Sequence, residues 1–544
     1  MYLYLEHSAR INGKPRRVWQ KYLGPEERFE ELSLSGLVSK HGKSLEISTF
    51  NFGVSAALLK MANLIGLPSI IDAVSEKRRE QGLTVGEYIT IAAINRCCKP
   101  VSKNKLGKWF AKDWISTNYD VKPETLNAQT YWNHFQYLNE DKLQEIEIAL
   151  NKVVIEKFNL DLDTLFYDPT NFFTFSAGNG ENGLLQFGHS KENRNGNRLV
   201  NYTLLCARES GIPLMHKTYP GNENDSTRFK SAPEEIKERL LALNCDPSQV
   251  TLVFDKGNHS KEAFKAIDEN KFGFIASVRN STQKDLLHVP RKKLKKLLLP
   301  TSGKRVEFHK EMRKVYGVER TMYVVLDPKK HKKHAIHFKE KLEEKIKYIE
   351  DFFKERLNVK KWRDERAVAK KINAMIGKNP FKDIVNYSLA ENNGKLSLHI
   401  EIDKEKRDAH IETLGRSVLF TNCHDWSPES VIWGYREQYV VEHAFKKMKS
   451  PTSISIRPMY HYTDRSIRIH VYVCVLSLLL LSLLRLTLSR KKVLMSYNEI
   501  LEYLEYAHAL KIKTSKRGKA YWKLDDTDKT SKMLIKKLKL TSLL

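Results

Sequence analysis

The chain changes its hydrophobic rhythm several times, and each change marks an element. Residues 2–11 and 16–23 flank Asn12-Gly13, the dipeptide that favours a two-residue hairpin turn. From residue 51 to about 154 the apolar positions recur at three- and four-residue steps, predicting helices over 56–65, 85–96, 105–110 and 130–138. Residues 165–175 then form an aromatic and β-branched run of the kind that makes a buried strand. Alternation over 198–207 and 212–218, around Glu209-Ser210-Gly211, predicts a hairpin. Helical spacing returns over 225–243 and 260–270, on either side of a short strand over 250–254; another strand is expected over 272–278. Residues 417–421 read as a further strand and 435–449 as an amphipathic helix. The pattern is that of an α/β protein with a mixed sheet, preceded by a helical region.

Three carboxylates stand out against this pattern. Asp168 interrupts the 165–175 run where an apolar residue is expected, and Pro169 follows, which predicts that the strand bends or ends there. A carboxylate in such a setting is costly to bury unless it is paired, hydrogen-bonded or bound to a metal. Asp255 closes the 250–254 strand and is followed by Lys256 and Gly257; strand-end loops are where α/β proteins place their chemistry. Glu442 lies on the 435–449 helix, where Tyr435, Tyr439, Glu442, Phe445, Lys446 and Lys449 recur at helical steps and share a side. Taken singly, each acid has an ordinary explanation as a turn or surface residue. Together they form the ordered set that two-metal phosphoryl transfer needs. Hard ions such as Mg2+ take carboxylate oxygens and waters, and a pair of them clamps the attacking and leaving oxygens of an in-line displacement. Asp161 and Asp163 read as exposed strand-entry residues, Asp225 as a helix N-cap, and His259 as capping or starting the next helix. His189 and Lys191 fall in a Gly/Asn-rich loop over 178–197.

At these residues the chain resembles the DDE transposases of bacterial insertion sequences, above all the insertion-sequence-four group with its Tyr-x2-Arg-x3-Glu-x6-Lys motif. Tyr435, Glu442 and Lys449 match that motif; Gln438 stands where the family has Arg, with Arg436 two residues earlier. Tyr167-Asp168-Pro169 and Phe254-Asp255-Lys256-Gly257 are similar to the first and second acidic motifs, and the similarity runs from about residue 160 to 485. The resemblance implies an RNase H-like core in which Asp168, Asp255 and Glu442 are catalytic and hold two Mg2+ or Mn2+ ions. It implies DNA contacts from Tyr435, Arg436, Lys449 and Lys256, with double-stranded DNA as partner and a homodimer assembled on two transposon ends. Cleavage at the ends, and joining of the freed 3′-hydroxyl to target DNA, would follow. A nuclease that cuts without joining and an inactive DNA-binding repressor remain as alternatives, and the presence of all three acids argues against the second.

Charge and composition narrow the picture further. The chain carries 93 Lys and Arg against 65 Asp and Glu, a formal net charge of +28. Residues 281–378, between the second and third acids, hold 29 basic and 13 acidic side chains, so more than half of the excess sits in under a fifth of the chain. Its clusters Arg291-Lys292-Lys293-Leu294-Lys295-Lys296 and Lys329-Lys330-His331-Lys332-Lys333 favour a polyanion partner, where counterion release supplies affinity. The block is expected to be a basic insertion holding DNA, with 339–356 helical and Trp362 packed in a helix rather than stacked on a base. Regions are expected at 1–50, 51–155, 156–280, 281–410, 411–490 and 491–544, the second helical and the last a basic helical tail. Six cysteines without paired CxxC spacing argue against zinc and disulfides and suit a reducing compartment, which the resemblance implies is the bacterial cytoplasm and its nucleoid. Met1-Tyr2-Leu3 opens without signal-peptide features, and residues 471–484 are apolar over too short a stretch to span a bilayer, so neither a membrane nor a small-molecule partner is expected.

Overall fold

The computed structural model describes residues 2–11, 14–25, 46–76, 82–176, 183–192, 194, 196–278, 283–299, 303–457, 459–513, 520–525 and 527–544. The Asn12-Gly13 turn, part of the 178–197 loop and part of the basic 511–517 stretch lie outside the described residues. The arms of the N-terminal hairpin lie inside them, with Tyr2–Ile11 antiparallel to Lys14–Pro25.

Five strands carry the core. The first (Thr164–Thr174), second (Arg198–Ala207) and third (Pro213–Pro220) form an antiparallel meander. The fourth (Thr251–Phe254) lies parallel to the first on its other side, and the fifth (Gly273–Ser277) parallel to the fourth. The order third, second, first, fourth, fifth is the RNase H-like arrangement. Helix Ala232–Ala242 makes the crossover into the fourth strand and Lys261–Glu269 the crossover into the fifth, as parallel pairing requires. The 225–243 segment is thus not one helix; Asp225–Arg228 forms a separate turn. All four residues of the fourth strand are buried, which is why it reads as a continuous apolar run.

The first strand does not end at Pro169 but pairs with the second, without a register shift, as far as Thr174. The Asp163 carbonyl accepts from Thr251 N, so odd-numbered residues turn their backbone groups toward the fourth strand. Pairing there stops at Phe166, and Pro169 falls beyond it, where no ladder bond is lost. Beyond the fifth strand the sheet continues through Arg416–Thr421, Val318–Leu326, Arg305–Val315 and Lys295–Leu298, all antiparallel. The first part of the basic block is therefore an extension of the core sheet. The remainder, from helix Pro328–Lys354 to helix Lys404–Thr413, builds a second apolar core around Phe338, Leu342, Ile349, Val368 and Ile372. Trp362 packs there, its ring 5.6 Å from those of Phe352 and Phe353.

The apolar segment near residue 471 belongs to a longer helix than its composition suggests. Asp464–Arg490 runs for 27 residues, long and apolar enough to cross a membrane, yet 89% of its most apolar window is buried inside the protein. It lies against the third strand and against helices Gly53–Leu64, Val85–Cys98 and Glu140–Phe158 of the N-terminal helical region, all within one continuous core. The C-terminal tail is not purely helical: His508–Lys513 pairs with Ala520–Leu524 and with Glu46–Asn51. Its partner strand comes from the far end of the chain, so no local pattern marks the pairing.

Candidate active site

Register brings the two aspartates side by side. Phe166 pairs with Val253 and Val253 with Ile275 in parallel ladders, so Asp168, Asp255 and Ser277 each lie two residues further on, level with one another across three adjacent strands. Paired residues share a sheet face, so all three point the same way. Ser277 Oγ donates to Asp255 Oδ1 at 2.8 Å, and Tyr435 Oη donates to the same oxygen at 3.1 Å. Burial and the Asp255 carboxylate push the Tyr435 phenol up, which keeps it protonated as a donor.

The 435–449 segment is not a single rod. Helix Pro428–Arg436 ends before Glu437, and helix Tyr439–Lys449 begins after Gln438, with the three-residue bonds Gln438 N to Tyr435 O and Val440 N to Glu437 O between them. Gln438, in the place of the family Arg, is buried in this break. Tyr435 and Glu442 therefore reach the site from two helices. The second helix lies over the sheet face of Asp168: Phe445 meets Tyr202 at 5.4 Å, and Lys449 Nζ donates to Thr170 Oγ1 at 2.7 Å, two residues beyond Asp168. Glu442, in the first turn of this helix, is exposed. The interruption redirects Arg436 as well, whose guanidinium binds Asp327 at 3.1 Å, the N-cap of helix Pro328–Lys354.

Further cations surround the acids. Lys191 donates to Pro169 O at 2.6 Å and pairs with Asp225 at 2.8 Å. Asp225 is not the N-cap expected; Asn224 takes that position and Asp225 turns its carboxylate to Lys191. Lys449 also faces Glu192 at 3.6 Å, and burial, only partly offset by Glu192, pushes its ammonium down to about 8. Lys256 is exposed in the turn directly after Asp255. Arg291 is held by both oxygens of Glu307, at 2.9 and 2.8 Å, on the sheet extension, while Lys292 and Lys293 beside it are exposed. His259 is buried against Phe254, Phe264 and Phe420. Ser277, Asp225, Thr170 and Glu192 were not singled out by sequence as parts of the site; of these only Ser277 had a signal, since it closes an apolar strand as Asp255 does.

Burial pushes the Asp168 carboxyl up to about 7, opposed by Lys191 and reinforced by the negative charges of Asp255, Asp225 and Glu442. Like charges gathered on oxygen-only ligands suit a hard divalent cation, which would relieve their repulsion. Among the described residues no three Asp, Glu, His or Cys side chains stand close enough to hold a metal ion as they are placed. The donors are chemically suited and gathered round one sheet face, with Asp255 turned to Ser277 and Tyr435.

Comparison with known proteins identifies the family. The family described as transposase DDE domain matches residues 163–480, more than half of the chain and inclusive of all three acids. Among solved structures, the piggyBac transposase synaptic complex with hairpin DNA is similar at 9% identity and a TM-score of 0.37, over 85% of this chain and 82% of that one. Curated proteins give no match. The span of the family match, laid over an RNase H-like sheet, establishes that the chain belongs to the DDE transposases, a family of metal-dependent enzymes that act on DNA.

Proposed function

We propose that this transposase is of the insertion-sequence-four group, binds the terminal inverted repeats of its element, cuts at the ends and joins the 3′-hydroxyls to target DNA. Asp168, Asp255 and Glu442 would hold two Mg2+ or Mn2+ ions. Such ions, when bound, neutralise charge on the scissile phosphate and activate the attacking oxygen. The chain's own residues supply orientation. Tyr435 and Ser277 fix the Asp255 carboxylate from two sides, and Lys191 braces the backbone next to Asp168. Lys449 and Lys256 lie where a DNA backbone would pass, and Tyr435 would join them once its hydroxyl is released from Asp255. Arg436 serves chiefly to tie the site to the insertion. Lys292 and Lys293, with Arg291, would extend DNA contact over the sheet extension, where Lys296, Lys304, Arg305, Lys329 and Lys330 line a groove of about 950 Å3. Two copies on two ends, acting in the bacterial cytoplasm, complete the reading.

The observation that carries it is the level placement of Asp168 and Asp255 on adjacent parallel strands, with the Glu442 helix laid over the same face. The test is cleavage of a labelled linear DNA bearing the element's two ends, with Mg2+, by wild type and Glu442→Gln. Mg2+-dependent cuts at the end boundaries, reduced at least a hundredfold in the variant while DNA binding persists, are expected on the scale of lost electrostatic catalysis, roughly 10²–10³-fold. Equal activity in both proteins would sink the assignment of Glu442. Cuts without joined products would make it a nuclease, and tight binding without cuts a repressor.

A further inference from the structure

Outside the acidic site, the feature left unexplained is a cavity of about 450 Å3 between the N-terminal helical region and the loop that follows the Glu442 helix. Arg96, Lys103, Lys105, Arg457 and His461 contribute to its lining, and among the described residues no Asp or Glu does. We infer that this cavity is a phosphate subsite, taking a backbone phosphate of the bound DNA several base pairs from the cleaved bond. The inference rests on the transposase reading proposed above.

The groups are built to receive an anion. Lys103 Nζ lies 3.0 Å from His461 Nε2, and with the Lys103 ammonium as donor the neutral ring carries its proton on Nδ1. His461 is 7% exposed, and among the described residues that buried nitrogen finds no hydrogen-bond partner. Arg96 donates to the Ser455 carbonyl at 2.9 Å, and the Trp132 ring meets the imidazole edge-to-face with centroids 4.9 Å apart. Arg96 and Lys103, half-buried side by side next to His461, disfavour each other's charge. Their effect is visible here: burial and Arg96 push Lys103 down to about 7, and burial, Lys103 and Arg96 push His461 down to about 2. A phosphate would supply the missing negative charge and an acceptor for the orphaned donor.

Position favours DNA over a free anion. Arg457 pairs with Glu192 at 2.6 Å, and the other oxygen of Glu192 faces Lys449 of the Glu442 helix. Thr174, at the end of the strand that carries Asp168, donates to the Met459 carbonyl at 2.8 Å. Six residues of strand separate Thr174 from Asp168, about 20 Å at ~3.3 Å per residue. That is roughly six base pairs at ~3.4 Å each. Tyr460, 71% exposed, stands at the cavity wall as an aromatic surface beside the same path.

Lys103→Met tests the inference, because methionine fills the side-chain volume without the charge. Fluorescence anisotropy with a labelled duplex a few turns long, in EDTA, gives affinity as a function of salt. The variant should bind about tenfold more weakly at low salt, the scale of one charged hydrogen bond. Its log–log salt slope should shrink by about 1. Its melting temperature without DNA should equal or exceed that of wild type, which separates lost binding from lost folding. Arg96→Gln should shrink the slope likewise, and Lys103→Arg should retain it. Unchanged slopes in both Lys103→Met and Arg96→Gln overturn the subsite. Stabilisation of wild type by inorganic phosphate, lost in Lys103→Met while DNA affinity holds, would make it a free-anion site and overturn the DNA assignment. A wild type that binds DNA without cutting it sinks the transposase reading alone; one that does not bind DNA overturns both.

Discussion

Asp168 is a carboxyl held in a place that disfavours its charge, and the sign of that effect can be tested. Its value in the folded protein is about 7, against 3.8 in an unfolded chain. An acid raised on folding contributes stability that is complete below the unfolded value and is lost as pH rises through the folded one. With divalent ions removed by chelation, wild type should therefore lose stability between about pH 4 and about pH 7 and then level off. Asp168→Asn should lack this component, melting close to wild type at about pH 4 and above it at about pH 7.5, as thermal scans at the two pH values would report. Added Mg2+ should raise the melting temperature of wild type at the higher pH and leave that of the variant nearly unchanged. The three acids were legible because each breaks the pattern around it: an acid inside an apolar run, an acid closing a strand, an acid on a Tyr/Lys helix face. The residues that surround them were not. Asp225 has the look of a helix cap, and Lys191 sits in a Gly/Asn-rich loop with no local sign that it reaches back to Pro169.

At the scale of elements, helix Glu140–Phe158 is joined to the core by a buried polar triad. Glu147 accepts from His216 on the third strand at 2.7 Å and pairs with Arg239 of helix Ala232–Ala242 at 2.9 Å, all three nearly excluded from solvent. Burial would raise the Glu147 carboxyl, but His216 and Arg239 together outweigh it and hold the group below its usual range. Glu147→Gln leaves Arg239 buried without its counter-charge and should cost about 3–5 kcal/mol in urea unfolding. Glu147→Gln combined with Arg239→Met should recover much of that, because neither charge is then stranded; a double variant as weak as the single would mean the triad acts through packing. Nothing in the sequence announces this triad, whose members are separated by dozens of residues and sit in unrelated local patterns. Elements whose partners are near in sequence were readable, such as the 198–218 hairpin and the crossover helix Lys261–Glu269. The break at Gln438 was not, because the helical spacing of Tyr435, Tyr439 and Glu442 continues straight through it. The strand pairing of His508–Lys513 with Glu46–Asn51 was hidden for the same reason as the triad.

At the scale of the molecule, the buried apolar side chains among the described residues form two cores of very different size, and this sets how the protein should unfold. The larger joins the N-terminal helices, the sheet, helix Asp464–Arg490 and the C-terminal tail without interruption. The smaller is confined to the layer between Phe338 and Leu414. The chain enters that layer at Asp327 and leaves it at Gly415, and the two crossings are sealed to each other by Asp327 N donating to Gly415 O at 3.1 Å. Gly415 has φ +74° and lies so close to His331 that a Cβ would meet its backbone at 2.6 Å, so the junction needs glycine. A layer with its own core and two adjacent crossings can open without the main sheet losing its packing. Calorimetry of the DNA-free protein should therefore show two transitions, the smaller belonging to this layer. Ile349→Ala, at a fully buried position of the small core, should cost about 2–5 kcal/mol and lower only the smaller transition. Leu480→Ala, equally buried in the central helix, should lower only the larger by a similar amount. A single transition shifted by both substitutions would show that the sheet extension couples the layer rigidly to the core. The basic groove beside Asp327 would then move with the acidic site as one body.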